Sequence, residues 1–109
     1  MRILIAAVAF ALSLPAIAHP EFAQCERDPG ARGLTQRVEN IREQMERAEQ
    51  AGDRAQQRRH LELHAKTMHE GMRELRRRET TTGCREEMMQ AMMEQMMRHE
   101  LAAQDSDGR

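Results

Sequence analysis

Apolar residues recur at alternating intervals of four and three positions in two long segments of the chain. The first segment carries Leu34, Val38, Ile41, Met45 and Ala48. The second carries Leu61, Ala65, Met68, Met72 and Leu75. This spacing places each set on one face of an amphipathic helix. We therefore predict helices over 34–50 and 54–79.

The sequence between these segments predicts a tight turn. Gly52 suits a left-handed residue after the first helix, and Asp53, with Gln56 three residues later, suits an N-terminal cap on the second. A turn this short makes the two helices antiparallel neighbours. Thr80 to Gly83 interrupts the pattern, and a third helix is predicted over 84–102.

No alternating strand pattern is present in the sequence, so we predict an all-α fold: an antiparallel helical hairpin plus a third, methionine-rich helix. The predicted helical domain covers 34–104. It follows an irregular arm over 19–33, where Pro and Gly occur without periodicity, and precedes a disordered tail over 105–109. With so few large apolar residues, a second copy of the chain could complete a larger bundle.

The first 18 residues have the layout of a secretory signal peptide. Arg2 is followed by an uncharged, mostly aliphatic run over 3–14, then by Pro15 and the small-residue site Ala16-Ile17-Ala18. The run is too short to span a bilayer about 30 Å thick. We predict cleavage near Ala18, a mature chain that starts at His19 in the periplasm or outside the cell, and no stable membrane insertion.

Charge and motifs narrow the possible functions. The formal net charge of the chain is −1, which gives no basic field for nucleic acid. Gly-rich phosphate loops, Gly-x-Ser-x-Gly elbows and Cys-x-x-Cys pairs do not occur in the sequence. The carboxylates fit a solvated helix surface. We therefore do not expect an enzyme.

Cys25 and Cys84 are the two cysteines of the chain. Export favours a disulfide between them, which would close a loop of about 60 residues and stabilise the fold by roughly 4 kcal/mol in the chain-entropy model. In the predicted hairpin, Cys25 precedes one helix and Cys84 follows the other, so both lie at the same pole. A pair of thiolate metal ligands or an intermolecular bridge are the alternatives.

The segment CREEMMQAMMEQMMRHEL over 84–101 carries three methionine doublets four residues apart. On a helix they form two adjacent rows, Met88, Met92 and Met96 beside Met89, Met93 and Met97. Thioether sulfur is soft and neutral, and it suits Cu(I) or Ag(I). The stripe could instead be a core or subunit interface, or an adaptable surface for polypeptide.

A second set of possible ligands precedes this stripe. His60, His64, Met68 and Met72 follow one another at intervals of four residues, with His69 to one side. Histidines four residues apart can bind one metal from a single helix face. A mixed His/Met row favours copper over structural zinc. His99 could join from the far end of the third helix.

The segment from His60 to Met97 resembles small methionine-rich periplasmic proteins of copper and silver resistance. This resemblance implies that the chain chelates or passes on soft cations. The segment that begins at Leu34-Thr35 is similar to the Leu-Thr-x-x-Gln helix start of helical-hairpin periplasmic stress proteins and heavy-metal sensors, although Val38 replaces the motif's glutamine.

The sequence thus predicts a non-enzymatic, exported, soft-metal-binding protein with Cu(I) or Ag(I) as ligand. A homo-oligomer and a periplasmic protein partner are both open. The alternative is a chaperone-like or structural module whose methionine face contacts protein or forms a dimer interface.

Overall fold

The computed structural model describes residues 20–107 of the chain, and these residues form helices and connecting turns with no strand. The predicted all-α class is therefore confirmed. The predicted signal peptide over 1–18, the start of the mature chain at His19 and the last two residues of the predicted tail lie outside the described residues.

Three long helices follow a short N-terminal arm. In the arm, 3-10 turns at Pro20–Phe22 and Pro29–Ala31 flank helix α1, Ala23–Glu26. The long helices are α2, Leu34–Gln50; α3, Arg54–Arg77; and α4, Thr82–Asp107. Relative to the predicted bounds, the arm is helical rather than irregular, α3 ends earlier, and α4 starts earlier and continues into the predicted tail.

Capping bonds explain where the helices begin. The Asp53 carboxylate accepts from the backbone N–H of Gln56 at 2.8 Å, as the capping pattern predicts. The Thr81 hydroxyl accepts from the N–H of Cys84 at 3.2 Å, which starts α4 before Cys84. After α2 the chain leaves through an extended Ala51, and of the described glycines only Gly33 has a positive φ. The predicted left-handed conformation of Gly52 was therefore wrong.

The core has two apolar clusters along the bundle. The larger one packs α2, α3 and α4 on the arm, through buried residues that include Phe22, Ile41, Leu75 and Met88. The smaller one lies near the hairpin turn and consists of Met45, Ala48 and Leu61. None of the helices within residues 20–107 is long and apolar enough to cross a membrane.

A disulfide between Cys25 and Cys84 fastens the arm to the first turns of α4. The predicted bridge is confirmed, and it excludes the alternative in which these cysteines are thiolate ligands. Glu87 on α4 reinforces the joint, because its carboxylate accepts from the backbone N–H groups of Gln24 and Cys25 at 2.8 and 3.0 Å. An acidic side chain of α4 thus caps the N-terminus of α1.

The arm also docks on the linker between α3 and α4. Asp28 accepts from Gly30 N–H at 2.9 Å and from Thr81 N–H at 2.7 Å, so that one carboxylate holds both segments. The Arg78 guanidinium donates to the carbonyl of Arg32. Gly30 is packed so closely that an ideal Cβ there would lie 2.0 Å from the carbonyl oxygen of Glu79.

This close approach gives a test of the docked arm. Because the obstructing atom at Gly30 belongs to the backbone, we expect Gly30→Ala to lower the free energy of unfolding by about 1–3 kcal/mol, as overpacking does. Gly52→Ala is the matched control, since an added Cβ at Gly52 meets nothing within 4 Å. Urea unfolding of both variants measures the difference, and equal midpoints would contradict the docked arrangement.

Candidate metal-binding site

The structure separates the two methionine rows of α4. Met88 and Met92 are 1% and 4% exposed and belong to the core. Met89, Met93 and Met97 are 37%, 59% and 66% exposed and form an outer row. Met96 is also exposed. The predicted stripe is therefore divided between the helix seam and the outside of the bundle, because α2 and α3 cover only one side of α4.

A groove of about 200 Å³ runs along the seam between α3 and α4. We call it the thioether groove, and its lining residues are Ala65, Met68, His69, Met72, Met92 and Met96. Each helix contributes two methionines spaced by four residues, so their side chains lie on one face of the helix. Met68 and Met72 of the predicted His/Met row thus meet Met92 and Met96 of the predicted stripe.

A glycine lets α3 and α4 approach closely beside Met92. Gly71 is buried in α3, and an ideal Cβ there would lie 2.9 Å from the terminal methyl of Met92 and 3.3 Å from Ile41 Cδ1. The missing side chain leaves space for the terminal methyl of Met92. Glycine in a helix interior destabilises by roughly 1 kcal/mol relative to alanine, a cost consistent with this packing requirement.

The residues that line the groove offer mostly soft donors. They include four methionines and His69, and none of them is Asp, Glu, Lys or Arg. Within residues 20–107, no three His, Cys, Asp or Glu side chains are placed to hold a metal ion. A divalent hard cation therefore lacks oxygen ligands here, whereas thioether sulfur matches Cu(I) or Ag(I).

The two histidines of the predicted row do not line the groove. His60 is half-buried. His64 is fully buried and bonds in two directions: its Nε2 lies 3.1 Å from Gln95 Oε1, and its Nδ1 lies 3.0 Å from His99 Nδ1. We call His64, Gln95 and His99 the histidine layer. His64 lies one turn before Met68 on α3, and Gln95 and His99 lie on either side of Met96 along α4.

The surroundings of His64 favour its neutral form. Burial lowers the pKa of His64, and positive charge on His99 and Arg98 acts in the same direction. The hydrogen bond with Gln95 and the carboxylate of Glu49 raise this pKa, but they do not offset the burial. At neutral pH His64 therefore carries one ring proton. This proton is on Nε2, because the neighbouring Gln95 Oε1 can only accept a hydrogen bond.

The sequence analysis did not identify Gln95, and it placed His69 outside the predicted row of ligands. Gln95 follows Met88, Ala91 and Met92 at helical spacing, so the inner face of α4 already indicated that it is buried. We did not predict its burial because glutamine is polar and does not belong to the apolar pattern. His69 lies one position from the predicted row, and the groove includes it because the seam is wider than a single row.

The metal-free protein should lose stability on mild acidification. Unfolded His64 binds a proton below about pH 6.5, whereas folded His64 binds it only at lower pH. The unfolded state then holds more protons, and the free energy of unfolding falls with the pH. We expect the wild-type Tm to decrease between about pH 7.5 and about pH 5.5, with a smaller decrease in His64→Gln. His60→Gln is the control for the loss of an imidazole, and equal slopes in His64→Gln and wild type would contradict this account.

Comparison with known proteins gives no assignment of the site. No protein-family model matches the chain, and neither the curated proteins nor the solved structures contain a match. The function therefore has to be argued from the chemistry of the thioether groove and its surroundings.

Proposed function

We propose that this chain is an exported helical protein that binds monovalent copper or silver in the thioether groove and acts in metal buffering or resistance. The observation that carries the proposal is the meeting of Met68 and Met72 of α3 with Met92 and Met96 of α4. Four sulfurs drawn from two helices can supply a trigonal or tetrahedral set for a soft ion. The resemblance of the segment over 60–97 to methionine-rich copper and silver resistance proteins supports the same proposal.

The neutrality of the lining supports a monovalent ion over a divalent one. The charge of an ion bound there is compensated by no carboxylate or thiolate of the lining, so the desolvation penalty increases with the charge of the ion. A single positive charge shared among polarisable sulfurs keeps that penalty small. Methionine sulfur also has no proton to lose, so binding does not require a particular pH.

Export is the second part of the proposal. The leader pattern over 1–18 supports it, and so does the disulfide between Cys25 and Cys84, because disulfides persist mainly in oxidising compartments. Such a compartment also makes thioether useful for metal binding. A thiol there is readily oxidised to a disulfide, whereas methionine keeps its ligand atom.

The test is competition for Cu(I) against a coloured Cu(I) chelator under anaerobic conditions. Replacement of Met68 and Met92 by leucine removes one sulfur from each helix and changes the packing little. We expect this double variant to bind Cu(I) about tenfold more weakly or worse, equivalent to about 1.4 kcal/mol or more. The matched control replaces Met89 and Met93 of the outer row by leucine and should bind like wild type.

The exposed side of α4 supports a second candidate function. Met89, Met93, Met97 and Leu101 leave an exposed apolar row on α4, which favours contact with protein, including a second copy of the chain. If the double variant of the groove binds Cu(I) like wild type, the groove is only packing and the metal proposal fails. If a further variant, Met89→Glu/Met93→Glu, loses concentration-dependent association in sedimentation, α4 serves as a protein-contact surface.

A further inference from the structure

The histidine layer has the geometry of a pair of nitrogen ligands. The Nδ1 atoms of His64 and His99 are 3.0 Å apart, while their ring centroids are 5.2 Å apart and their planes differ by 15°. Because the nitrogens are much closer than the centroids, the rings meet edge to edge through Nδ1. Each ring nitrogen therefore points toward the other along the line between the rings.

Gln95 fixes which nitrogen of His64 is available. Gln95 Oε1 accepts a hydrogen bond from His64 Nε2–H at 3.1 Å, so the Nδ1 lone pair of neutral His64 faces His99. A metal-binding histidine is usually oriented in this way, with its second ring N–H donated to a carbonyl or carboxylate oxygen. His99 Nδ1–H then donates a hydrogen bond to that lone pair.

The layer also leaves a polar group without a partner. Gln95 Nε2 is buried and forms no hydrogen bond, which destabilises by about 1–3 kcal/mol. The layer lies along α3 and α4 between Met68 and Met92 of the larger apolar cluster on one side and Leu61 of the smaller cluster on the other. Apolar side chains would pack there without an unpaired amide, so packing alone does not account for this trio.

The number and charge of the donors select the kind of ion. Residues 20–107 offer no third His, Cys, Asp or Glu at this position, so the layer supplies two neutral nitrogens. Zinc in proteins takes four ligands as a rule. A monovalent d10 ion accepts two imidazoles in a line, and its single charge keeps the desolvation penalty low in a buried position.

We propose that His64 and His99 form a second site, in which Cu(I) or Ag(I) is bound linearly between their Nδ1 atoms and Gln95 is the positioning residue. Metal–imidazole bonds of about 2 Å require the two nitrogens to separate to about 4 Å. His99 is half-buried and supplies this movement. On binding, the His99 proton moves from Nδ1 to Nε2, so both rings stay neutral. The site uses none of the thioether ligands, so metal binding at the histidine layer can be tested independently of binding in the groove.

The experiment uses silver(I) nitrate in chloride-free buffer, with the ¹⁵N-labelled protein expressed from the full chain and its disulfide intact. Silver avoids redox chemistry, and its nucleus has spin ½. At saturation we expect the Nδ1 signals of His64 and His99 to shift and to split by coupling to silver. The Nε2–H signal of His64 should persist, because Gln95 holds that proton.

Variants separate this site from the groove. His99→Gln should lose one equivalent of bound silver in a titration, and the new amide can still donate to His64 Nδ1 and preserve the layer. His60→Gln should retain the wild-type stoichiometry, and the double variant Met68→Leu/Met92→Leu should keep the split histidine signals. The inference is overturned if the Nδ1 signals of the wild type stay unshifted at saturation. It is equally overturned if His99→Gln, folded by circular dichroism, binds as many silver ions as wild type.

Discussion

The position of α4 depends on the covalent joint between Cys25 and Cys84. The linker between α3 and α4 is short and polar, and by itself it does not fix how α4 lies on the hairpin. The disulfide, the Glu87 cap on α1 and the Asp28 contact with Thr81 hold the first turns of α4 against the arm. Closing a loop of about 60 residues stabilises the fold by roughly 4 kcal/mol in the chain-entropy model. For a small core this is a large share of a total stability of about 5–15 kcal/mol. Both groups of possible ligands lie further along α4, so their register against α3 depends on this joint.

The sequence predicted the elements of the fold better than it predicted the site. The spacing of apolar residues predicted the range of α2. It also predicted a helical hairpin, which places Cys25 and Cys84 at the same pole and so supported the disulfide. For α4, six methionines at helical spacing define a broad stripe but do not show which side faces α3. That choice depends on packing against Gly71 and Ile41, which come from two other helices. Met92 is therefore buried while Met93 is exposed. Gln95 was missed because a polar side chain on an inner face conflicts with the hydrophobic pattern, and its partner His64 is on another helix.

The thioether groove and the histidine layer lie next to each other on one seam. His64 is four residues before Met68 on α3, and His99 is three residues after Met96 on α4, so roughly one helical turn separates them. Both offer neutral donors, and both exclude ions that need several oxygen or thiolate ligands. This common preference follows from the scarcity of charge on the inner faces of α3 and α4. The charged side chains of the chain pair at the surface instead, as Arg98 does with Glu49.

The two kinds of donor differ in their response to acid. Thioether sulfur binds no proton, so the groove keeps its ligands at any pH. The two Nδ1 atoms of the histidine layer share a single proton when both rings are neutral, and a further proton on either ring removes a lone pair that a metal needs. If both sites bind metal as proposed, acidification empties the histidine layer before the groove. A monovalent ion bound by both would then lie with the sulfurs at low pH, whereas at neutral pH the imidazoles compete for it.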